Sequence, residues 1–313
     1  MSRYSNLKEA FEIRVPGSIA NLGPGFDTLA VAIRLYLTLR VKRLPGHGEL
    51  VFRFTGQQPQ GGNCVERAFH HMSGEDARRL PSYAVEVSSE IPCCAGLGSS
   101  AAATVAGLRL YEAAAGPVPI QTLLNAACKL ESHPDNAAAS LLGGLTLSCA
   151  MPDGSVHATK FPWPESLAFV VASPAVALPT RQSRAVLPGT VSRADLVFNL
   201  QRVALLLQLL RSGDFKLLKH ALDDRVHQPF REQIVPGLRE ALELEHRDLL
   251  GICLSGSGPS IVAMAEHNLP EIGALLGQVY ERRGVDCQLR ILEAHQESSA
   301  RPEMFRSSLL CCS

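Results

Sequence analysis

The sequence predicts a two-domain protein that mixes strands and helices, and three observations carry that expectation. Its 313 residues exceed one ordinary domain, so two units sharing a cleft are expected. Segments with strand periodicity and segments with helix periodicity follow one another along the chain. Residues 151–164 gather Pro152, Gly154, Pro162 and Pro164, the composition of a junction between units. Domains are therefore expected at 1–155 and 156–313.

Residues 35–42 are the clearest strand: Leu35, Leu37, Leu39 and Val41 alternate with Tyr36, Thr38, Arg40 and Lys42, giving one buried face. Residues 51–54 and 83–87 read as shorter strands, with a helix over 63–72 between them. The alanine-rich run 99–115 reads as a helix that Gly116 stops, as a glycine just past the last turn does. Pro119 sits near the first turn of a helix over 120–130, where its missing N–H is not needed. Gly143 and Gly144 end an Ala/Leu run, and strand resumes over 145–149. Beyond the junction, 167–172 is a compact apolar strand. Residues 194–210 have apolar positions at helical spacing, and 215–222 reads as a shorter helix. Strands over 251–254 and 261–265 flank a tight turn, Ser255-Gly256-Ser257-Gly258-Pro259. A helix over 269–283 and a strand over 285–292 follow. From Glu297 the tail is polar, then ends in Leu309, Leu310, Cys311 and Cys312 before Ser313, and is expected to be loosely ordered.

Composition narrows the function. Hydrophobic residues make up 46% of the chain and charged residues 19%, which suits a well-cored globular protein. Thirty basic residues balance thirty acidic ones, so no global field gathers nucleic acid or an anionic membrane. The longest apolar stretch, 203–210, is far too short to span a bilayer, and residues 1–11 lack the pattern of a secretory signal. Nine cysteines with no Cys-x-x-Cys spacing point to reduced thiols and a cytoplasmic setting rather than a disulfide scaffold or zinc site.

Residues 92–102 carry the strongest functional signal. Pro92, Cys93, Cys94, Ala95, Gly96, Leu97 and Gly98 form a glycine-bearing loop that runs into the expected helix at Ser99, Ser100, Ala101 and Ala102. A helix start presents unpaired N–H groups and partial positive charge, a natural seat for phosphate. Gly96 and Gly98 let the backbone approach an anion closely, and the two serines add hydroxyls for phosphate or metal. The macrodipole alone contributes ~0.3–2 kcal/mol, so several converging N–H groups are needed to hold a triphosphate. A second irregular segment, 16–27, packs three glycines and two prolines into twelve residues, with Asn21 and Asp27 as its polar groups. Either segment alone, like the turn at 255–259, is compatible with simple turn chemistry.

In this order, the segments 16–27, 92–102 and 255–259 resemble the three signature motifs of the GHMP kinases, a superfamily of ATP-dependent small-molecule kinases. Three further segments resemble the branch whose acceptor is L-homoserine: Glu131-Ser132-His133-Pro134-Asp135-Asn136, Thr180-Arg181-Gln182-Ser183-Arg184 and His227-Gln228-Pro229-Phe230-Arg231. One departure stands out: where the family often has a bulky residue and an Arg or Lys before the glycine loop, this chain has Cys93-Cys94-Ala95.

The resemblance implies an α+β, two-domain GHMP kinase fold, with the phosphate loop in the N-terminal domain, a ferredoxin-like C-terminal domain and the active site in the cleft between them. It implies ATP on residues 92–102, with Asn63 near the adenine, and Mg2+ on Ser100 and Glu131. Arg184 and Arg231 match carboxylate-binding arginines, a task for which the bidentate guanidinium suits and Lys does not. Asp27 would meet the ammonium group, Asn21 and Asn136 would orient the hydroxyl, and His133 would complete the pocket. Thr180 resembles a residue near the reacting phosphate. Asp135 occupies a position where some members keep a catalytic aspartate, although phosphoryl transfer asks for alignment and charge neutralisation more than a strong base. The implied activity is phosphorylation of L-homoserine to O-phospho-L-homoserine on the way to threonine, in a cytoplasmic homodimer. The alternatives are another acceptor, mevalonate or a sugar, and a kinase-like sensor without turnover.

Overall fold

The computed structural model describes residues 9–56, 62–299 and the backbone of 303–304. Residues 1–8 and the greater part of the tail, on which two of the expectations above fall, lie outside the described residues. In chain order the first unit contains β1 (Ala10–Ala20), β2 (Leu29–His47), β3 (Leu50–Thr55), α1 (Cys64–Ser73), β4 (Pro81–Ser89), α2 (Ser99–Ala115), α3 (Ile120–Glu131), α4 (Asp135–Leu142), β5 (Leu145–Ala150) and β6 (Val156–Phe161). The second contains β7 (Ala168–Pro174), α5 (Thr180–Ala185), α6 (Arg193–Ser212), α7 (Leu218–Ala221), α8 (Gln228–Arg231), α9 (Leu238–Leu242), β8 (Gly251–Leu254), β9 (Ile261–Ala265), α10 (Leu269–Glu281) and β10 (Cys287–Leu292). A two-residue strand, β11 (Glu303–Met304), returns to β1.

The first sheet runs β11-β1-β2-β4-β3, with β5 on the first residues of β2 and β6 on β5. Helices α2 and α4 lie against β1 and β2, so the second half of β1 is buried on both faces. This corrects the reading of 16–27 as wholly irregular. Strand pairing continues through Ala20, with a register shift between Pro16 and Gly17, and the loop begins at Asn21. Proline is tolerated at such an irregularity because no ladder hydrogen bond is asked of its nitrogen. Residues 156–161, read as part of the junction, instead form β6 in a hairpin with β5.

The second sheet has the order β10-β7-β9-β8, every neighbour antiparallel. Counted along the chain this is 4-1-3-2, the split β-α-β arrangement of ferredoxin-like domains. Between β7 and β8 the chain makes five helices rather than the two expected. Four of the five have only four to six residues, too few turns to leave a periodic signature. Two large buried apolar clusters, the larger one centred on the first sheet, and a small one of Ala20, Ala30, Ala32 and Ala139 form the interior of the described residues. Among the described residues, no helix is long and apolar enough to cross a membrane.

Candidate active site

The three glycine-bearing segments, far apart in sequence, meet at one cleft of about 390 Å³. Ser255 Oγ donates to the Gly96 carbonyl at 2.7 Å, and the Ser260 N–H donates to the Ala95 carbonyl at 3.1 Å. The Gly256 N–H reaches the Ala20 carbonyl at 3.0 Å, and the Ser18 N–H reaches that of Leu97 at 3.1 Å. Gly96 and Gly98 both have positive φ, 77° and 72°. A Cβ on Gly96 would collide with the Ser255 carbonyl oxygen, and one on Gly98 with Ser18 Oγ. Gly98 caps α2, whose first intrahelical bond runs from Ala102 N to the Gly98 carbonyl. The N–H groups of Ser99, Ser100 and Ala101 therefore precede the ladder and face the cleft that these residues line.

Oxygen donors gather beside that helix end. Glu131, the last residue of α3, points a 4%-exposed carboxylate at α2 and accepts from Ser100 Oγ at 3.1 Å and Thr104 Oγ1 at 2.6 Å. Arg67, one face of α1, holds its Nη2 3.9 Å from the same oxygen. Next to it, Asp135 starts α4 and is buried. Its Oδ1 accepts from the Asn136 N–H at 2.7 Å and lies 3.1 Å from His133 Nδ1. Burial opposes a charge on His133, but the hydrogen bond and charge of Asp135 outweigh it, and the imidazole pKa is raised. Ser18 Oγ donates to Asn136 Oδ1 at 2.8 Å, so the first motif fixes the orientation of this side chain.

Opposite charges fill the other wall. Arg184 and Asp27 form a bidentate pair, Nη1 to Oδ2 at 3.0 Å and Nη2 to Oδ1 at 2.6 Å, about a third exposed on each side. That hydrogen bond raises the Arg184 pKa further. Arg231 is buried; its Nη1 donates to the Gly256 carbonyl at 3.0 Å and its Nε to that of Ser183 at 3.3 Å. Burial first, then the charge of Arg184, lowers its pKa to about 10. His227 Nε2 lies 2.7 Å from the Gly23 carbonyl, which only accepts, so the proton sits on Nε2. Nδ1 then accepts from Arg231 Nη1 at 3.0 Å. Burial lowers the His227 pKa, consistent with this neutral form.

Of the residues singled out from sequence, Asn21, Asp27, Cys94, Ala95, Gly96, Gly98, Ser99, Ser100, Ala101, Glu131, His133, Asp135, Asn136, Thr180, Arg184 and Arg231 line the one cleft. Asn63 does not line it: its Oδ1 caps α1, accepting from the N–H groups of Val65 and Glu66. Leu97 and Ala102 are buried in the core, and Pro92 and Cys93 lie off the cleft. Asn21 uses both ends of its amide on the backbone, donating to the Gly256 carbonyl at 2.9 Å and accepting from the Asp27 N–H at 3.1 Å. Sequence reasoning missed Arg67 and Thr104, and it named Ser257 only as part of the turn at 255–259, without a role of its own. Thr104 was within reach, since it lies four residues after Ser100 on one helix face. Arg67 had no local signal, because only the packing of α1 on α2 brings it to the cleft.

Comparison with known proteins agrees with this geometry. Residues 63–144 match the family model described as GHMP kinases N terminal domain, and residues 206–280 that described as GHMP kinases C terminal. The chain belongs to the GHMP kinases. Homoserine kinase of Solibacter usitatus is 38% identical over 281 residues, covering 88% of this chain and 91% of the relative. Homoserine kinase of Deinococcus radiodurans is 40% identical over 263 residues, 82% and 85% of the two chains. Within the superfamily the chain thus belongs to the homoserine kinase family. The crystal structure of homoserine kinase from Cytophaga hutchinsonii shares the fold, with a TM-score of 0.82 at 23% identity over 97% of this chain and 99% of that one. A Lactococcus lactis galactokinase, solved with galactose, has a TM-score of 0.68 at 13% identity over 95% and 97%.

Proposed function

We propose that this chain transfers the γ-phosphoryl group of ATP to the side-chain hydroxyl of L-homoserine, yielding O-phospho-L-homoserine and ADP. One observation carries the reading: an open helix N-terminus suited to phosphate and a cluster of two arginines with an aspartate share a single cleft. An α-amino acid brings one carboxylate and one ammonium. The Asp27–Arg184 pair presents the complementary signs, so a zwitterion entering it meets Arg184 and Arg231 with its carboxylate and Asp27 with its ammonium. The names of the relatives support homoserine over mevalonate, which has no ammonium group, and over a sugar, which has no use for two arginines.

In this reading the segment 92–102 seats the triphosphate, its contacts coming from the residues that line the cleft, above all the free N–H groups of Ser99, Ser100 and Ala101. Asn63 acts on the nucleotide side by fixing the start of α1. His133 and Asn136 face the acceptor hydroxyl, while Asn21 holds the loop that carries Asp27. Thr180 Oγ1, 3.4 Å from Ser257 Oγ, borders the phosphoryl path. Asp135 positions His133 and Asn136 rather than removing a proton, since a loose transition state demands alignment first. Magnesium fits the donors present: a serine hydroxyl and a carboxylate oxygen 3.1 Å apart leave room for phosphate oxygens and water. Among the described residues no cluster of three or more His, Cys, Asp and Glu suits a metal, so Ser100 and Glu131 would hold an ion that arrives with the nucleotide. Bound there, Mg2+ supplies neutralisation of phosphate charge.

The domain division at 1–155 and 156–313 belongs to the same proposal, with the pairing of β6 to β5 favouring a boundary a few residues later. A cytoplasmic location is supported by seven free cysteines among the described residues. A homodimer rests on the family resemblance. Turnover against a panel of homoserine, serine, threonine, mevalonate and galactose, read by coupled ADP release, tests the reading. Homoserine should be preferred. Serine is one methylene shorter, worth ~10–200-fold in a fitted pocket, and mevalonate or galactose turning over faster than homoserine would refute the assignment.

A further inference from the structure

A triphosphate brings several negative charges to a loop that has no cation of its own. Residues 92–102 contain neither Lys nor Arg, and α2 has no capping side chain. Three arginines line the cleft. Arg184 is held bidentately by Asp27, and Arg231 is buried with its hydrogen bonds directed at His227 and two carbonyls. Arg67 differs from both. Half of its side chain is exposed, its contact with Glu131 at 3.9 Å is too long for a hydrogen bond, and among the described residues its guanidinium makes one hydrogen bond, at 3.5 Å to the thiol of Cys64. Cys64 Sγ in turn lies 3.8 Å from Ser100 Oγ. The guanidinium thus stands over the first turn of α2, beside the hydroxyl and carboxylate that face the phosphate end of the cleft.

We propose that Arg67, from a helix outside the three signature segments, supplies the phosphate-facing cation that the glycine loop lacks. This deepens the reading given above and rests on it. In the free protein the guanidinium partly offsets the buried Glu131 carboxylate. Once phosphate enters, its oxygens are stronger partners than the sulfur and the distant carboxylate, and the forked donor turns toward them. Nothing in the fold has to move, because the anchoring contacts of Arg67 are weak and its side chain is half in solvent.

Equilibrium binding of adenosine, ADP and a non-hydrolysable ATP analogue to the full chain and to Arg67→Gln tests this without any acceptor. Loss of a charge-assisted phosphate contact should weaken ADP and the ATP analogue about 10- to 100-fold. Adenosine affinity and the thermal midpoint should stay as in the parent protein. Arg67→Lys should recover part of the loss as a point charge, and the salt dependence of ADP binding should be shallower in Arg67→Gln. Equal weakening of adenosine and ADP would make Arg67 a structural residue and overturn the proposal, as would unchanged ADP binding. A parent protein that binds ADP normally yet ignores homoserine would overturn the acceptor assignment alone.

Discussion

At the level of single residues, two carboxylates in the cleft are set up for different work. Glu131 faces hydroxyls on α2 and keeps the oxygen that accepts from Ser100 and Thr104 at the phosphate end. Asp135 is locked into its own turn by the Asn136 N–H and by His133. Asp135→Asn retains an acceptor of the same shape, whereas Glu131→Gln removes the anionic oxygen that would hold the Mg2+ by which phosphate charge is neutralised. Steady-state rates at saturating magnesium should therefore fall about 10²–10³-fold for Glu131→Gln, the range for losing one electrostatic stabiliser. For Asp135→Asn they should fall by less than the ~10²-fold that loss of a true general base costs. A larger loss at Asp135 would make it the base. The same substitution has a second readout. Asp135 is what raises the His133 pKa against burial, so an NMR titration of Asp135→Asn should find His133 losing its proton at lower pH than in the parent chain.

Among the elements, the loop ahead of α2 is the part whose conformation leaves least freedom. Gly96 and Gly98 combine positive φ with backbone or side-chain atoms where a Cβ would sit. Gly116, at the other end of the same helix, has a φ of 102° but nothing within 4 Å. With ψ at 178° Gly116 sits in extended positive-φ backbone that is essentially glycine's alone, so Gly116→Ala should cost only the conformational term, about 1–3 kcal/mol, and leave turnover intact. Gly96→Ala and Gly98→Ala add overpacking of about 1–3 kcal/mol to that term, and should also shift the loop and weaken ADP. Urea unfolding and ADP binding of the three variants separate the two effects; equal costs at all three sites would show that packing against Ser255 and Ser18 is unimportant. These glycines were legible in the sequence because their spacing before an alanine-rich helix is a local pattern. So were β2 and α2, long elements with clear periods. The short helices between β7 and β8 were not, nor was the start of the first loop, because a proline and a glycine concealed a strand whose burial comes from α2 and α4. Arg67 and the pairing of Asp27 with Arg184 were invisible for the same reason: both arise from contacts between distant segments.

In the whole molecule, the chain does not divide cleanly at its middle, because the segment after β10 returns to the first unit. Ala294 bridges to Ile33, the His295 N–H reaches the Ala32 carbonyl at 2.8 Å, and the Gly144 N–H reaches the His295 carbonyl at 2.7 Å. Ser299 then closes two helices at once. Its N–H and hydroxyl reach the Leu141 carbonyl near the end of α4, and it accepts from the buried Arg109 of α2 through both Oγ and the carbonyl. Arg109 also pairs with Glu112 at 2.6 Å, so removing Ser299 takes two hydrogen bonds from a charge that water cannot reach. A chain ending at Leu292 should lose about 3 kcal/mol or more, since each bond to a buried charged group contributes about 1.5–3 kcal/mol. Ser299→Ala, which keeps the carbonyl, should lose about 1 kcal/mol. The two helices affected are those that present Ser99, Ser100, Asp135 and Asn136 to the cleft. Hydrogen exchange in the shortened chain should therefore quicken in α2 and α4 before it does in β7 and β9, with ADP affinity falling in step. Uniform quickening across both sheets would mean that the returning segment holds the two units together rather than bracing the phosphate-facing helices.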